Sequence, residues 1–583
     1  MKFLQNLLAN IMGFFISLLL LFFLMIGIGV AMIGSMEEEI PELTSNSVLE
    51  LSFNSQVMDF YPSDQDPLLK LLDLDSPYIG LDQIISSIDK AAQDNKVKGI
   101  SLQLNTIQAG MSQVKSIRQA LQRFKNSGKS VFAYADFYDQ KAYYLASVAD
   151  RVYVNPVGGV QWKGLSSEVL FFKDFEDKYG VKMEVIRHGK YKSAMEPFLE
   201  NKMSPANRDQ MTSLLGDLWS GIKVEVGQDR DLNEKELQRI ADESLARSPQ
   251  RAIKVGLIDE LAYRDQYKDA LVDQLDLDTY KSMDLESYML GISSESYQSQ
   301  GNIGVLYAQG EIIYGEGDES SIGQELMLKS IRKLKKDDDI KAVVLRVNSP
   351  GGSALSSDII LRALEELQEE KPLVVSMGDY AASGGYYIAC SADYIVAQSN
   401  TITGSIGVFG ALPNMSKLSK EMGINADRVS TSKAPEYSVF EPISKGFYDL
   451  TQEGIERVYQ DFIGHVAKGR KMQVDQVDAI AQGRVWTGVQ AEEIGLVDEI
   501  GSLDLAIERA AELVDMENYG RMNYPEYDSD FSSSFKNFPL ARIKENLLLE
   551  YLPIKELQEL KAMKKTQNSE GIQMKMPFVL KIN

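Results

Sequence analysis

The feature that most constrains this chain is an internal repeat. Residues 98–105 (KGISLQLN) align with 341–348 (KAVVLRVN), and 341 minus 98 is 243. Residues 136–150 (DFYDQKAYYLASVAD) align with 379–393 (DYAASGGYYIACSAD) with 6 of 15 identical, and 379 minus 136 is again 243. Gly180 and Gly423 keep the same spacing. A register held over such a distance means two copies of one fold. We place them at residues 47–295 and 302–540, joined by the Ser- and Gln-rich stretch 292–302, with a tail at 541–583.

Within each copy, strand-length apolar runs alternate with helical periodicity. In the second copy, residues 303–307, 342–347 and 373–376 read as strands, and 322–334 and 356–367 as helices with Asp358 and Glu365 on the wet side. That alternation predicts an α/β class, a parallel or mixed sheet covered by helices. The tail reads as charged helix over residues 543–565, interrupted by Pro553, with apolar positions Leu547, Leu548, Leu549, Tyr551 and Leu552.

Ahead of the repeats, the apolar stretch 11–33 would reach about 35 Å as a helix, long enough to span a bilayer. It lacks the short core and small-residue cleavage site of a removable leader, so residues 1–36 are expected to be a single retained anchor. Lys2 before it and Glu37-Glu38-Glu39 after it are expected to leave the rest of the chain outside the cytoplasm.

Composition removes several chemistries. A formal charge of −23 argues against nucleic acid as a partner. One cysteine, Cys390, excludes an intramolecular disulfide and a cysteine-based zinc cluster. Only His188 and His465 remain for imidazole chemistry, and neither lies in a repeat-matched loop. No metal or cofactor is expected.

Two loops of the second copy follow strands, where sites of such folds lie. One is Asn348-Ser349-Pro350-Gly351-Gly352-Ser353, whose glycines let backbone N–H groups approach a ligand. The other, Gly378 through Tyr387, puts Ser383 at a helix start, where free N–H groups and the dipole favour developing negative charge. Together they suggest a serine nucleophile beside an oxyanion hole. With histidine unsuited, the base would be a lysine held neutral, since a free ammonium near pKa 10.4 accepts no proton at neutral pH. Lys190 and Lys192 of the first copy both stand in a candidate block.

Four ordered motifs carry a resemblance: Tyr191-Lys192-Ser193-Ala194 with Glu196-Pro197, Asn348 through Gly352, Ala382-Ser383-Gly384-Gly385-Tyr386-Tyr387, and Thr403-Gly404-Ser405-Ile406-Gly407. From the anchor to about residue 515 the chain resembles the signal peptide peptidase A family, whose long, duplicated, membrane-anchored form is bacterial protease IV. The resemblance implies a Clp protease/crotonase-like fold and a serine endopeptidase that degrades signal peptides left in the membrane. It implies Ser383 as nucleophile, Lys192 as general base, Ser405 as the hydroxyl orienting the amine, and the N–H groups of Gly352 and Gly384 as the oxyanion hole.

The repeat agrees with this division. Moved back by 243, Ser383 becomes Gln140, Gly352 becomes Ala109 and Ser405 becomes Trp162, while Lys192 moved forward becomes Pro435. Each copy keeps what the other lost, so one dyad must draw on both, within a chain or between chains. A closed homo-oligomeric ring, four chains favoured, is the resulting expectation. Two rivals share some of these features: an acyl-CoA enzyme of the crotonase type, and a silent peptide-binding scaffold.

Overall fold

Each repeat builds a mostly parallel sheet with the same strand order. In the computed structural model, which describes residues 45–62, 78–296, 302–527 and 573–576 with a few positions between 12 and 21, the first sheet is six-stranded and parallel throughout. Its order is Glu260–Leu261, Arg151–Val160, Ser130–Tyr138, Val97–Gln103, Ser47–Leu51, Ser282–Asp284. The second, of eight strands, repeats that order with Glu499–Ile500, Tyr394–Ala397, Leu373–Ala382, Ala342–Ser349, Ile303–Gln309 and Arg521–Tyr524, while Ile402–Gly404 pairs with the far end of Leu373–Ala382 and carries Val485–Thr487 antiparallel at its edge.

The repeat spacing survives in the elements themselves. Helices Leu81–Gln93 and Gln324–Lys336 begin 243 residues apart, as do Met111–Asn126 and Ala354–Gln368. Gly180 and Gly423 both hold positive φ, at 69° and 76°. Further along the offset drifts, since strands Glu260–Leu261 and Glu499–Ile500 are separated by 499 minus 260, or 239.

Local sequence explains the helices. Ser353 caps Ala354–Gln368 by accepting from the Ser356 N–H, and Ile360, Leu361, Leu364 and Leu367 then fall on one buried face. The long helix Pro205–Arg230 starts with Ser204 accepting from Asn207 N–H and with Pro205 in its first turn. Two expected boundaries move. Residues 321–323 form a short strand before the helix begins at Gln324, because Ile322 pairs with Ile312. The stretch expected to link the repeats is partly helical, as Leu285–Ser296 continues into it.

A third, mixed sheet joins the repeats. Strand Lys182–His188 of the first copy runs antiparallel to Val408–Asn414 of the second over seven residue pairs. Among the described residues no helix is long and apolar enough to cross a membrane. The expected anchor at 11–33 and the expected tail helix at 543–565 lie largely or wholly outside those residues.

Candidate active site

Ser383 ends the strand Leu373–Ala382 and turns the chain into the helix Gly384–Tyr387. Its backbone stands at φ 57°, ψ −116°, a conformation that persists only where the surroundings impose it. Two buried tyrosines fix the turn: Tyr386 Oη donates to the Leu496 carbonyl at 2.8 Å and Tyr387 Oη to Asp358 at 2.9 Å. The glycines after the serine answer to crowding. A Cβ at Gly384 would stand 2.7 Å from Ser357 Oγ, and one at Gly385 2.7 Å from the Ser349 carbonyl oxygen. Because this helix is a single turn of four residues, the dipole expected from the sequence reduces to one nearby N–H group, that of Gly384.

The Gly351–Gly352 loop packs directly alongside. A Cβ on Gly384 would lie 3.2 Å from the Gly352 nitrogen, so both backbone nitrogens assigned to the oxyanion hole sit in one small region beside Ser383. Gly351 takes φ 99°, a left-handed conformation that glycine holds without penalty.

Lys192 arrives from the other repeat. The cross-repeat pairing of Lys182–His188 delivers the next loop into the second copy, where Tyr191 N–H donates to the Gln482 carbonyl at 2.8 Å. The lysine stem threads between two glycines: a Cβ on Gly483 would meet Lys192 Cβ at 2.7 Å, and one on Gly407 would meet its Cδ at 3.3 Å. Its Nζ lies 2.8 Å from Ser383 Oγ, 3.0 Å from the Ser405 carbonyl oxygen and 3.1 Å from Ser405 Oγ. Ser383, Ser405 and Lys192 are all buried. Both catalytic candidates therefore meet within one chain.

Burial pulls the Lys192 pKa well below its ordinary value, with no carboxylate acting against it. A neutral amine has two N–H donors and one lone pair. If the donors take the two oxygens of Ser405, the lone pair is left facing Ser383, whose hydroxyl donates to it. Ser405 holds φ 51° and is tied down by its N–H bond to the Arg484 carbonyl, which fixes both acceptor oxygens.

The competing residues stand apart. Lys190 is exposed, with its ammonium 5.2 Å from the Tyr191 ring. His188 Nδ1 lies 2.7 Å from a Glu456 carboxylate oxygen and its ring stacks on Tyr459, while His465 rests against Tyr387. In the first repeat the corresponding positions are closed by structure. Gln140 accepts from the N–H groups of Lys163 and Gly164, and Trp162 is buried with its indole N–H donating to the Leu237 carbonyl.

One participant was not foreseen, since no role at the site was read into the tail. Strand Gln573–Lys575 pairs antiparallel with Gly351–Ser353, Gly352 opposite Met574, and its Gln573 also pairs with Phe409. Met574 and Met576 are buried, the latter among Leu214, Leu218, Ala382, Ile402 and Val485. The Met574 carbonyl oxygen would lie 3.2 Å from a Cβ on Gly384. The cleft beside Ser383 thus holds an extended strand. The signal that could have found it is short: Ile572-Gln573-Met574-Lys575-Met576 alternates apolar and polar residues between Gly571 and Pro577.

A buried serine on a strained strand-to-helix turn, a buried lysine against it and two backbone nitrogens alongside define a serine-hydrolase type of site on an α/β scaffold. Comparison with known proteins makes this particular. The model of peptidase family S49 matches residues 123–278 and 365–517, one segment in each repeat and together just over half of the chain. The chain is 37% identical to Protease 4 of Haemophilus influenzae over 533 residues, 88% of this chain and 86% of that one. It is 35% identical to Protease 4 of Salmonella typhi over 525 residues, 86% and 84% of the two chains. It is 32% identical over 448 residues to the chloroplastic serine protease SPPA of Arabidopsis thaliana, 74% and 65% of the two. The chain belongs to peptidase family S49 and is a serine protease.

Proposed function

We propose that this chain is a membrane-anchored Ser/Lys-dyad endopeptidase, with a Clp protease/crotonase-like fold in each repeat, that degrades apolar signal peptides after their release from preproteins. The observation that carries the dyad is the 2.8 Å approach of the buried Lys192 Nζ to Ser383 Oγ. In the first half-reaction Lys192 takes the Ser383 proton as Oγ bonds to the peptide carbonyl carbon. The N–H groups of Gly352 and Gly384 receive the oxyanion. Collapse breaks the C–N bond, and the Lys192 ammonium protonates the leaving amine. Water then attacks the acyl ester, Lys192 taking its proton and returning it to Ser383 as the ester C–O bond breaks. Ser405 orients the amine throughout.

Two further observations favour an extended apolar substrate. The cleft pairs with a strand through main-chain groups, a mode in which alternate side chains fill pockets. The side chains so placed, Met574 and Met576, are apolar and buried. The apolar stretch 11–33 supports residence at the bacterial inner membrane with the body on the extracytoplasmic side; in this reading the chain works there as a homo-oligomer, four chains being favoured from the duplication. The test is labelling of the purified full-length chain by a fluorophosphonate, then cleavage assays on leader-like peptides. We expect Ser383 to be the labelled residue, and apolar peptides to be cut faster than folded polar proteins. Labelling that persists in Ser383→Ala, or no labelling of the parent chain, overturns the reading.

A further inference from the structure

The strand that leads to Ser383 is not in simple register with the strand that leads to Gly352. Val347 pairs with Met377, but Ser349 pairs with Ala381, so Asn348 alone stands opposite Gly378, Asp379 and Tyr380. Such a bulge releases main-chain groups from the ladder and re-aims the residues beyond it. Here it lies immediately before the nucleophile, so its shape sets where Ser383 stands relative to Gly352.

Side chains hold that shape. Asn348 Oδ1 accepts from Tyr380 N–H at 3.2 Å, Thr401 Oγ1 donates to the Gly378 carbonyl at 2.7 Å, and Asp379 Oδ1 accepts from Ser112 N–H of the first repeat at 2.6 Å. Over them sits one carboxylate from the first repeat, Asp59, with 1% of its side chain exposed. Its Oδ2 accepts from Arg346 Nε at 2.7 Å, and its Oδ1 accepts from Gln113 at 2.8 Å and Asn348 at 3.2 Å. Arg346 in turn donates to Ser376 Oγ and the Met377 carbonyl, on the far side of the bulge. A Cβ on Gly378 would come within 2.9 Å of Asp59 Oδ2, so the carboxylate rests directly on the bulged chain. The first repeat keeps Asn105 and Asp136 at the equivalent positions but has Gln103 where Arg346 stands.

We infer that Asp59 is a positioning residue for the reaction: it holds the bulge before Ser383 and the strand before Gly352 at one spacing, so that docking of the first repeat sets the nucleophile against the oxyanion donors. The inference rests on the reading of Ser383 as nucleophile. A buried carboxylate that accepts from three donors, Arg346 and Asn348 on one strand and Gln113 on a helix of the first repeat, is replaced by no neutral group of the same shape, because an amide would set its own N–H groups either against Gln113 and Asn348 or against Arg346.

The experiment compares the full-length parent, Asp59→Asn, and the pair Asp59→Leu with Arg346→Met, which removes both buried charges. Peptide kcat and KM, the rate of fluorophosphonate labelling and Tm are measured for each. We expect Asp59→Asn to lose about 10- to 100-fold in kcat with KM nearly unchanged, and labelling to slow in parallel. The paired variant should recover Tm but not kcat. Parent-like kcat in Asp59→Asn, or kcat that returns together with Tm in the paired variant, overturns the inference. If Asp59→Asn does not fold, the paired variant decides alone. A parent chain that is itself not labelled would instead overturn the reading of Ser383.

Discussion

Gly483 offers a test of how closely the lysine must be held. It takes φ +77°, and a Cβ there would lie 2.7 Å from Lys192 Cβ and N and 2.8 Å from its Cα. Ordinary contact begins at 3.4 Å, so Gly483→Ala must open the gap by about 0.7 Å. If the lysine loop takes up that movement, the 2.8 Å approach of Nζ to Ser383 Oγ lengthens to about 3.5 Å, beyond a useful hydrogen bond. A misplacement of this size at a reacting group costs on the order of 100-fold in rate. The backbone adds about 1–2 kcal/mol of left-handed strain and the overlap about 1–3 kcal/mol more. Gly423→Ala separates the two effects, because Gly423 has nearly the same φ, +76°, and no heavy atom within 4 Å. Peptide hydrolysis and thermal melts of both variants are the assay. Gly423→Ala should lose stability and keep activity; Gly483→Ala should lose both. Activity of Gly483→Ala within about threefold of the parent, or equal impairment of the two variants, refutes the reasoning.

Lys192→Ala and Ser383→Ala are each expected to abolish peptide cleavage, and Lys190→Ala to leave it nearly intact, since Lys190 is exposed; turnover with peptide substrate checks all three. Activity should rise with pH on its acid limb as Lys192, its pKa lowered by burial, loses its proton. Ser405→Ala removes an acceptor that favours the ammonium, so that limb should move to lower pH while kcat falls, as a pH–rate profile would show. Burial pushes the Asp82 carboxyl from 3.8 up to about 6, so between those values the folded chain keeps a proton that the unfolded chain has released, and stability falls as pH rises through the window. Asp82→Asn should therefore raise Tm at pH 7.5 by relieving a penalty on the order of 3 kcal/mol, with little gain at pH 4, as paired melts would measure.

What the sequence made legible was local. Glycine pairs, a serine after a strand and a repeat spacing are patterns within a few residues, and Ser383, Gly352 and Gly384 are found together as those patterns implied. The choice of Lys192 over Lys190 rested on resemblance, because burial separates the two lysines and burial is a property of the whole fold. Asp59 was invisible for the same reason: its partner Arg346 lies 287 residues away. The helix expected over 322–334 begins instead at Gln324, because Ile322 fits either period and its pairing with Ile312 decides the matter. Residues 572–576 alternate apolar and polar between Gly571 and Pro577, a strand signal too short to stand out beside the charged tail, and the strand is completed by pairing with Gly351–Ser353 and Phe409.

The seven-pair ladder between Lys182–His188 and Val408–Asn414 has a consequence for inheritance. Because it brings the proposed base and the proposed nucleophile together from one polypeptide, the two repeats are, on that reading, no longer spare copies of each other. A lesion in either half disables the whole gene product, so redundancy, the usual shelter of a duplication, is gone. Two alleles broken in different halves and expressed in the same cell are each left with half a dyad in every chain, and the intact halves, locked into separate molecules by their own ladders, do not complement.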